Sequence, residues 1–237
     1  MPGFKGTIFL AAAMAALPVA AESPLKHPVS GRIIAPVMGV GGAMWLERAE
    51  RESEENPRKA VAMLDLKRGM AVADVGAGSG YYTELLARAV GREGKVYATD
   101  IQPGMVELLR QRVRARKLAQ VEPVLATASS TGLPAACCDL ILMVDVYHEL
   151  AAPQEVLRQL KAALKPDGRL VLIEFRKEDP TVPIREEHKM SIAEARAELE
   201  AEGYRLESAL PGLPWQHMLV FRASKSAVQA NRGVEIE

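Results

Sequence analysis

Ala73-Asp74-Val75-Gly76-Ala77-Gly78-Ser79-Gly80-Tyr81-Tyr82 is the stretch on which the reading of this chain turns. An apolar strand, Ala71 to Val75, delivers the chain to a glycine turn, and a helix from Tyr82 to Val90 follows at once. Glycine is required where backbone must turn tightly and lie close to a ligand, because a side chain there would stand in the way. The N-terminus of the following helix adds oriented N–H groups. The glycines are spaced G-x-G-x-G. A dinucleotide site prefers G-x-G-x-x-G, and a phosphate-binding P-loop ends in Gly-Lys followed by Ser or Thr. Position 81 is Tyr and no Lys follows, which weakens both phosphate readings.

Outward from this turn, strands and helices alternate. Strands are expected at Lys95–Asp100, Val121–Ala126, Asp139–Val146 and Arg169–Phe175, with helices at Pro103–Leu118 and Gln154–Leu164 between them. A helix from Ser191 to Ala201 opens on a capping box, Ser191 with Glu194 three residues on. Arg205–Ala209 and His217–Arg222 are read as the last strands. Before the turn, Met44–Glu55 looks helical, and Asn56-Pro57 starts a helix that runs to Leu66, with Asn as cap and Pro in the first turn. Near-continuous apolar strands imply a sheet covered on both faces, and the alternation implies parallel pairing. The fold class is therefore α/β, a doubly wound seven-stranded sheet with the last strand antiparallel and an N-terminal helical cap. In such sheets ligands bind beyond the carboxyl ends of the strands, where the strand order reverses. Asp100 ends the second strand, 24 residues after Gly76. A carboxylate there sits beside the glycine turn and can accept hydrogen bonds from ribose hydroxyls.

Composition narrows the class. The 237 residues are 49% hydrophobic and 25% charged with zero formal net charge, so a sizeable core is available and steering to nucleic acid is not expected. The basic run Arg110–Lys117 lies on a helix without interleaved aromatics and reads as a solvated face. Cys137 and Cys138, the only cysteines, are adjacent and read as small hydrophobes rather than a vicinal bridge. Lys5 precedes an apolar run from Thr7 to Ala21 that ends in Val19-Ala20-Ala21. This reads as a secretory signal peptide over residues 1–21, cleaved after Ala21, and places the chain in a bacterial periplasm. Left uncleaved, the run would anchor the domain at the inner membrane. No later stretch is long and apolar enough to span a bilayer.

The segment Asp74-Val75-Gly76-Ala77-Gly78-Ser79-Gly80 resembles motif I of class I S-adenosylmethionine-dependent methyltransferases. MLDLKRGMAVADVGAGSGYYT, KVYATDIQPGM, LPAACCDLILMVDVYHEL and LKPDGRLVLIEFR carry a likeness to the small-molecule type, which includes quinone C-methyltransferases. The WLERAERE and DPTVPIREEHKM segments extend it to poorly characterised, exported bacterial methyltransferase-like proteins, so that nearly the whole mature chain is covered. The resemblance implies a lead-in and cap helices over 22–66, a cofactor-binding domain over 67–224 and a loose tail over 225–237. The cofactor implied is S-adenosylmethionine and the partner a small-molecule acceptor; oligomeric state is unreadable.

Carried over residue by residue, Gly76, Gly78 and Gly80 would line the methionine and ribose part, with Ala77 in the same turn. Asp74 would hold the turn or meet the amino group through water. Asp100 would bind the ribose hydroxyls, and Ile101 would lie against adenine. Many relatives carry an Asp after strand three for the adenine amino group. Here Ala126-Thr127-Ala128-Ser129 stands there, so Thr127, a backbone group or water must serve. Tyr81 and Tyr82 either pack beside the cofactor, where Tyr82 is the candidate, or cover the first helix.

Asp145, Tyr147 and His148 fall just past strand four, near the transferable methyl. Asp145 is placed with the cofactor; His148, with Tyr147 beside it, is the catalytic candidate. His148 either takes a proton from the acceptor or makes local hydrogen bonds that order a loop. His148-Glu149 does not complete the zinc motif His-Glu-x-x-His, because position 152 is Ala, and no metal site is expected. For His188 an exposed or capping role is favoured over the cleft. The lead-in and the helix around Trp45 are expected to form a lid. An exported, non-catalytic binding module that reuses the cleft for another ligand is the alternative function; a nicotinamide-dependent oxidoreductase is a distant third.

Overall fold

The computed structural model describes residues 24–224; the expected signal peptide and the tail lie outside the described residues. The core is one sheet of strands β1 (Ala71–Val75), β2 (Lys95–Asp100), β3 (Val121–Leu125), β4 (Cys138–Val144), β5 (Leu164–Arg176), β6 (Lys189–Met190), β7 (Tyr204–Leu210) and β8 (Gln216–Ala223). Their order is β3-β2-β1-β4-β5-β8-β7, with two-residue β6 added against β5. β1 to β5 pair in parallel, and β8 runs antiparallel to both β5 and β7. The expected seven strands and antiparallel last strand are present; β6 is the extra one.

Strand alternation explains why the sheet needs two covers. Along β4, Leu140 and Leu142 pack into one apolar layer while Ile141 and Met143 pack into the other. Helices α3 (Pro57–Met63), α4 (Tyr81–Val90) and α5 (Pro103–Arg116) cover the first face, burying Leu86, Val90 and Leu109. Helices α6 (Pro153–Ala163) and α7 (Ile192–Ala201) cover the second, burying Leu157, Leu160 and Leu199. The capping box forms: the Ser191 hydroxyl accepts from the Glu194 amide while the Glu194 carboxylate accepts from the Ser191 amide. The chain leaves β1 for β2 on one side and returns to β4 on the other. The crevice beyond β1 and β4 is thus the switch point of the sheet.

Several boundaries differ from expectation for identifiable reasons. Met44–Glu55 is two short helices, α1 (Ala43–Leu46) and α2 (Arg51–Glu54). Arginine side chains claim carbonyls that a continuous helix would keep for its own ladder: Arg48 donates to the Trp45 carbonyl and Arg51 to that of Leu46, each at 2.9 Å. The helix after Asn56 stops at Met63 rather than Leu66, with Asp65 in the left-handed region. β4 ends at Val144 rather than Val146 because Asp145 also turns left-handed, at φ 53°. Cys137 and Cys138 are free, and only Cys138 is fully buried.

The lead-in is irregular, as its Pro and Gly content suggests, yet it is firmly held. Arg32 gives Nε to Glu198 Oε1 at 2.8 Å and Nη2 to Oε2 at 3.1 Å, and both side chains are buried. Arg32 also donates to the His148 carbonyl at 3.0 Å, and the Ala35 amide donates to that same carbonyl at 3.1 Å. On the other side of α1, Glu55 is fully buried between Arg51 (2.7 Å) and Arg48 (2.6 Å). Among the described residues no helix is long and apolar enough to cross a membrane.

Candidate active site

A cleft of about 660 Å³ opens beyond the carboxyl ends of β1, β2 and β4. Its floor is the glycine turn. Gly76 (φ 73°) and Gly78 (φ 54°) adopt backbone that L side chains avoid, and both line the cleft. A Cβ on Gly76 would lie 2.5 Å from Val146 Cγ2. The Gly76 and Ala77 amides donate to the Thr99 carbonyl, so β2 pins the turn from beneath.

Asp100 completes the pin. Its Oδ2 accepts from the Gly78 amide at 2.9 Å and its Oδ1 from the Gln102 amide at 2.8 Å. Asp100 lines the cleft, and a carboxylate oxygen can accept more than one hydrogen bond. Burial raises the Asp100 pKa, opposed by these two amides. Ile101 and Met105 make an apolar wall next to it, and Thr127 lines the cleft beside them, following Ala126, whose amide donates to the Asp100 carbonyl at 2.9 Å. The Thr127 amide and carbonyl are both occupied by Ser130, which leaves its hydroxyl for a ligand.

Asp145 borders the cleft where β4 ends. Its Oδ2 accepts from Gln216 Nε2 at 2.7 Å, while the buried Oδ1 has no partner among the described residues. Burial, with Glu55 and Glu174 adding like charge, pushes its carboxyl well above the usual range. A group in this state is held ionised by a cation placed against it.

Beyond Asp145 lies a cluster of imidazoles and carboxylates. His148 is buried and gives Nδ1 to Glu174 Oε2 at 2.6 Å; Glu174, wholly buried on β5, takes the Tyr147 amide on its other oxygen at 2.9 Å. His148 Nε2 lies 3.1 Å from His188 Nδ1, and Glu149 stands beside both. Burial raises Glu149 to about 7, with His148 opposing and Glu174 adding. Burial and His148 lower His188. The expectation of an exposed or capping His188 is corrected: the β6–β5 pairing, Lys189 opposite Phe175, brings it to the cleft.

Other expected site residues stand outside the cleft. Asp74 is buried beneath the turn and accepts from the Thr83 hydroxyl at 2.5 Å, which favours the turn-holding role over the amino-group contact. Ala77 is buried in the core layer beneath. Gly80 begins α4 and faces α5, where a Cβ would meet Leu109 Cδ1 at 2.6 Å. Tyr82 is buried under the Arg51 guanidinium, 5.2 Å from its ring centroid. Tyr147 is corrected as a catalytic candidate: it packs in the apolar layer on the far face, with Arg32 over its ring at 5.5 Å. Sequence reasoning missed Glu174, Glu149 and Arg51, of which the last lines the cleft from α2.

A doubly wound sheet, a glycine turn at its switch point and an acidic residue closing the second strand define a class I nucleoside-binding site, the arrangement of S-adenosylmethionine-dependent methyltransferases. Comparison with known proteins agrees. A methyltransferase domain family matches residues 73–172. A ubiquinone/menaquinone biosynthesis C-methyltransferase of Escherichia fergusonii is 33% identical over 113 residues, 47% of this chain and 45% of that protein. The matched part thus spans under half the length of such curated relatives. A solved S-adenosylmethionine-dependent methyltransferase from Aquifex aeolicus is 30% identical, with TM-score 0.74 over 78% of this chain and 98% of that one. A [4+2]-cyclase, SpnF, shares the fold at 21% identity and TM-score 0.57, over 65% of this chain and 58% of that one. The chain belongs to the S-adenosylmethionine-dependent methyltransferases.

The residues present fit that family's cofactor. Gly76 and Gly78 both line the cleft with backbone in the left-handed region that favours glycine, and the Asp145 oxygen without a partner among the described residues provides an anionic partner for a cationic ligand.

Proposed function

We propose that this chain transfers a methyl group from S-adenosylmethionine to a small-molecule acceptor. The observation that carries this reading is the single cleft that runs from Asp100 to His148. It has room for a nucleoside at the glycine end and for a second molecule at the histidine end. The family likeness to quinone C-methyltransferases supports a small, largely apolar acceptor.

When bound, the cofactor supplies a methyl group on a positive sulfur, which the acceptor's electron pair displaces in line while the sulfur keeps the bonding pair as a neutral thioether. The protein's work is alignment and exclusion of water. Asp100, itself held by the Gly78 amide, would bind the ribose hydroxyls, and Asp145 would face the positive charge. Met38, Trp45 and Leu46 close the cleft on the solvent side. Glu174 holds the His148 Nδ1–H, so the Nε2 electron pair is turned to His188 Nδ1, 3.1 Å away at the histidine end of the cleft.

Calorimetric titration of the full chain with S-adenosylmethionine and with its demethylated product tests the reading. Binding is expected, and Asp100→Ala should weaken it at least tenfold, since hydrogen bonds to a charged group contribute roughly 1.5–3 kcal/mol. A folded protein that binds neither compound would overturn it. A non-catalytic binding module is favoured by one observation: Ala126–Ser129 offers no carboxylate for adenine, and the backbone of Thr127 is already engaged. Binding without any transfer to quinols or phenols would favour that module.

A further inference from the structure

His148, Glu149 and His188 form a grouping that linear spacing does not show. His148 Nε2 lies 3.1 Å from His188 Nδ1; Glu149 Oε1 lies 3.9 Å from the first and 3.7 Å from the second. All three side chains border the cleft at its acceptor end. The two rings stand edge to face, 85° apart with centroids at 5.2 Å, so their nitrogens meet at one point without stacking.

We propose that His148, His188 and Glu149 bind one divalent transition-metal ion at the acceptor end of the cleft. Metal–nitrogen and metal–oxygen bonds of about 2.0–2.2 Å separate neighbouring ligand atoms by about 3.0–3.5 Å at octahedral or tetrahedral angles. The histidine pair already has that separation, and Glu149 needs a shift of a few tenths of an ångström. The support behind the cluster points the same way. Metal-binding histidines characteristically give their other ring nitrogen to a carboxylate, which fixes the tautomer and ring orientation. Glu174 does this for His148 at 2.6 Å, and its own second oxygen is fixed by the Tyr147 amide. A lone imidazole pair sharing one proton would account for the 3.1 Å contact but not for Glu149 beside it.

Two imidazoles and one carboxylate select Zn²⁺, Fe²⁺, Co²⁺ or Ni²⁺ over Mg²⁺ or Ca²⁺, which prefer an all-oxygen shell. Three protein ligands leave positions open on the cleft side, as catalytic sites do and closed structural sites do not. Resting on the methyltransferase reading, this assigns an acceptor class: a small molecule with a hydroxyl or enolate oxygen that completes the coordination. The ion would lower the proton affinity of that oxygen before the methyl arrives.

The test is titration of the full chain, stripped with chelator, with Co²⁺ followed by visible absorption and with Zn²⁺ followed by calorimetry. One ion per chain is expected, at micromolar affinity or tighter. His188 is partly exposed in a loop, so His188→Ala should keep the fold by circular dichroism yet lose roughly 100-fold or more in affinity. Glu174→Gln, which leaves all three ligands in place, should lose roughly 10- to 100-fold. Absence of Co²⁺ bands in the parent, or affinity unchanged in His188→Ala, would overturn the proposal. The same samples titrated with S-adenosylmethionine separate the two readings. Cofactor binding without metal binding removes the metal site and leaves the methyltransferase. Metal binding lost in His188→Ala, without cofactor binding, keeps the site and removes the methyltransferase.

Discussion

Asp74→Asn should stabilise this protein at neutral pH, by an amount set by the burial of one carboxylate. Asp74 is wholly enclosed under the glycine turn, and burial raises its pKa to about 6, opposed by the Thr83 hydrogen bond and by Arg51. An unfolded Asp titrates near 3.8. The folded state therefore holds its proton longer than the unfolded state does. Its stability contribution is complete below about pH 4 and is lost as pH rises through about 6. Two pKa units correspond to about 3 kcal/mol, lost in full by about pH 8 and about half lost by pH 5. Asn removes the ionisation, yet its amide oxygen still accepts from Thr83. Urea denaturation of both proteins at pH 4, 5, 6, 7 and 8 isolates the effect, because every other titrating group cancels in the difference. Equal stability is expected near pH 4, and a gain for Asn that rises toward about 3 kcal/mol at pH 8. A difference that stays flat across this range, or favours Asp at high pH, would refute the reasoning. Cofactor affinity should change little, because Asp74 supports the turn from beneath.

Other expectations follow from single contacts. Gly76→Ala forces a Cβ into left-handed backbone and 2.5 Å from Val146 Cγ2. It should lower the melting temperature and weaken the cofactor about tenfold, and a second change, Val146→Ala, should restore part of the loss; no rescue would mean the clash is not the cause. Glu198→Gln strips the buried Arg32 of its counter-charge. A broken buried pair costs about 3–5 kcal/mol, which for a chain this size lowers the melting temperature by about 10 °C. A fall under about 2 °C would show the pair to be incidental. The export reading predicts that full-length chain made in a bacterium yields a periplasmic product starting at Glu22; recovery of unprocessed chain in the cytosol would reject it.

Where the sequence was readable, the structure is local. The β1–turn–α4 unit and Asp100 are close in the chain, and strand period, glycine and carboxylate report on one another over a few dozen residues. What was not readable joins distant elements. His148 meets Glu174 and His188 only after β5 and β6 have paired, across 26 and 40 residues. Gln216 reaches Asp145 across 71 residues. Tyr147 and His148 both fall just past strand four, but on one turn of 3-10 helix they face opposite sides of the sheet layer. The broken helix over 43–54 is a conflict of levels. Propensity favours continuity, while arginine side chains and their buried partner Glu55 impose a corner. Arg32 and Glu198, 166 residues apart, look like ordinary surface charges until packing removes the water from both.

The segment that roofs the cleft is fastened on both sides: before it by Arg32 with Glu198, and after it by the Tyr81 hydroxyl donating to Glu52 at 2.9 Å and the Trp215 amide donating to the Glu54 carbonyl at 3.1 Å. Detaching the first end would leave Arg32 and Glu198 buried without each other, which costs about 3–5 kcal/mol. A strip clamped at two ends bows; it does not swing.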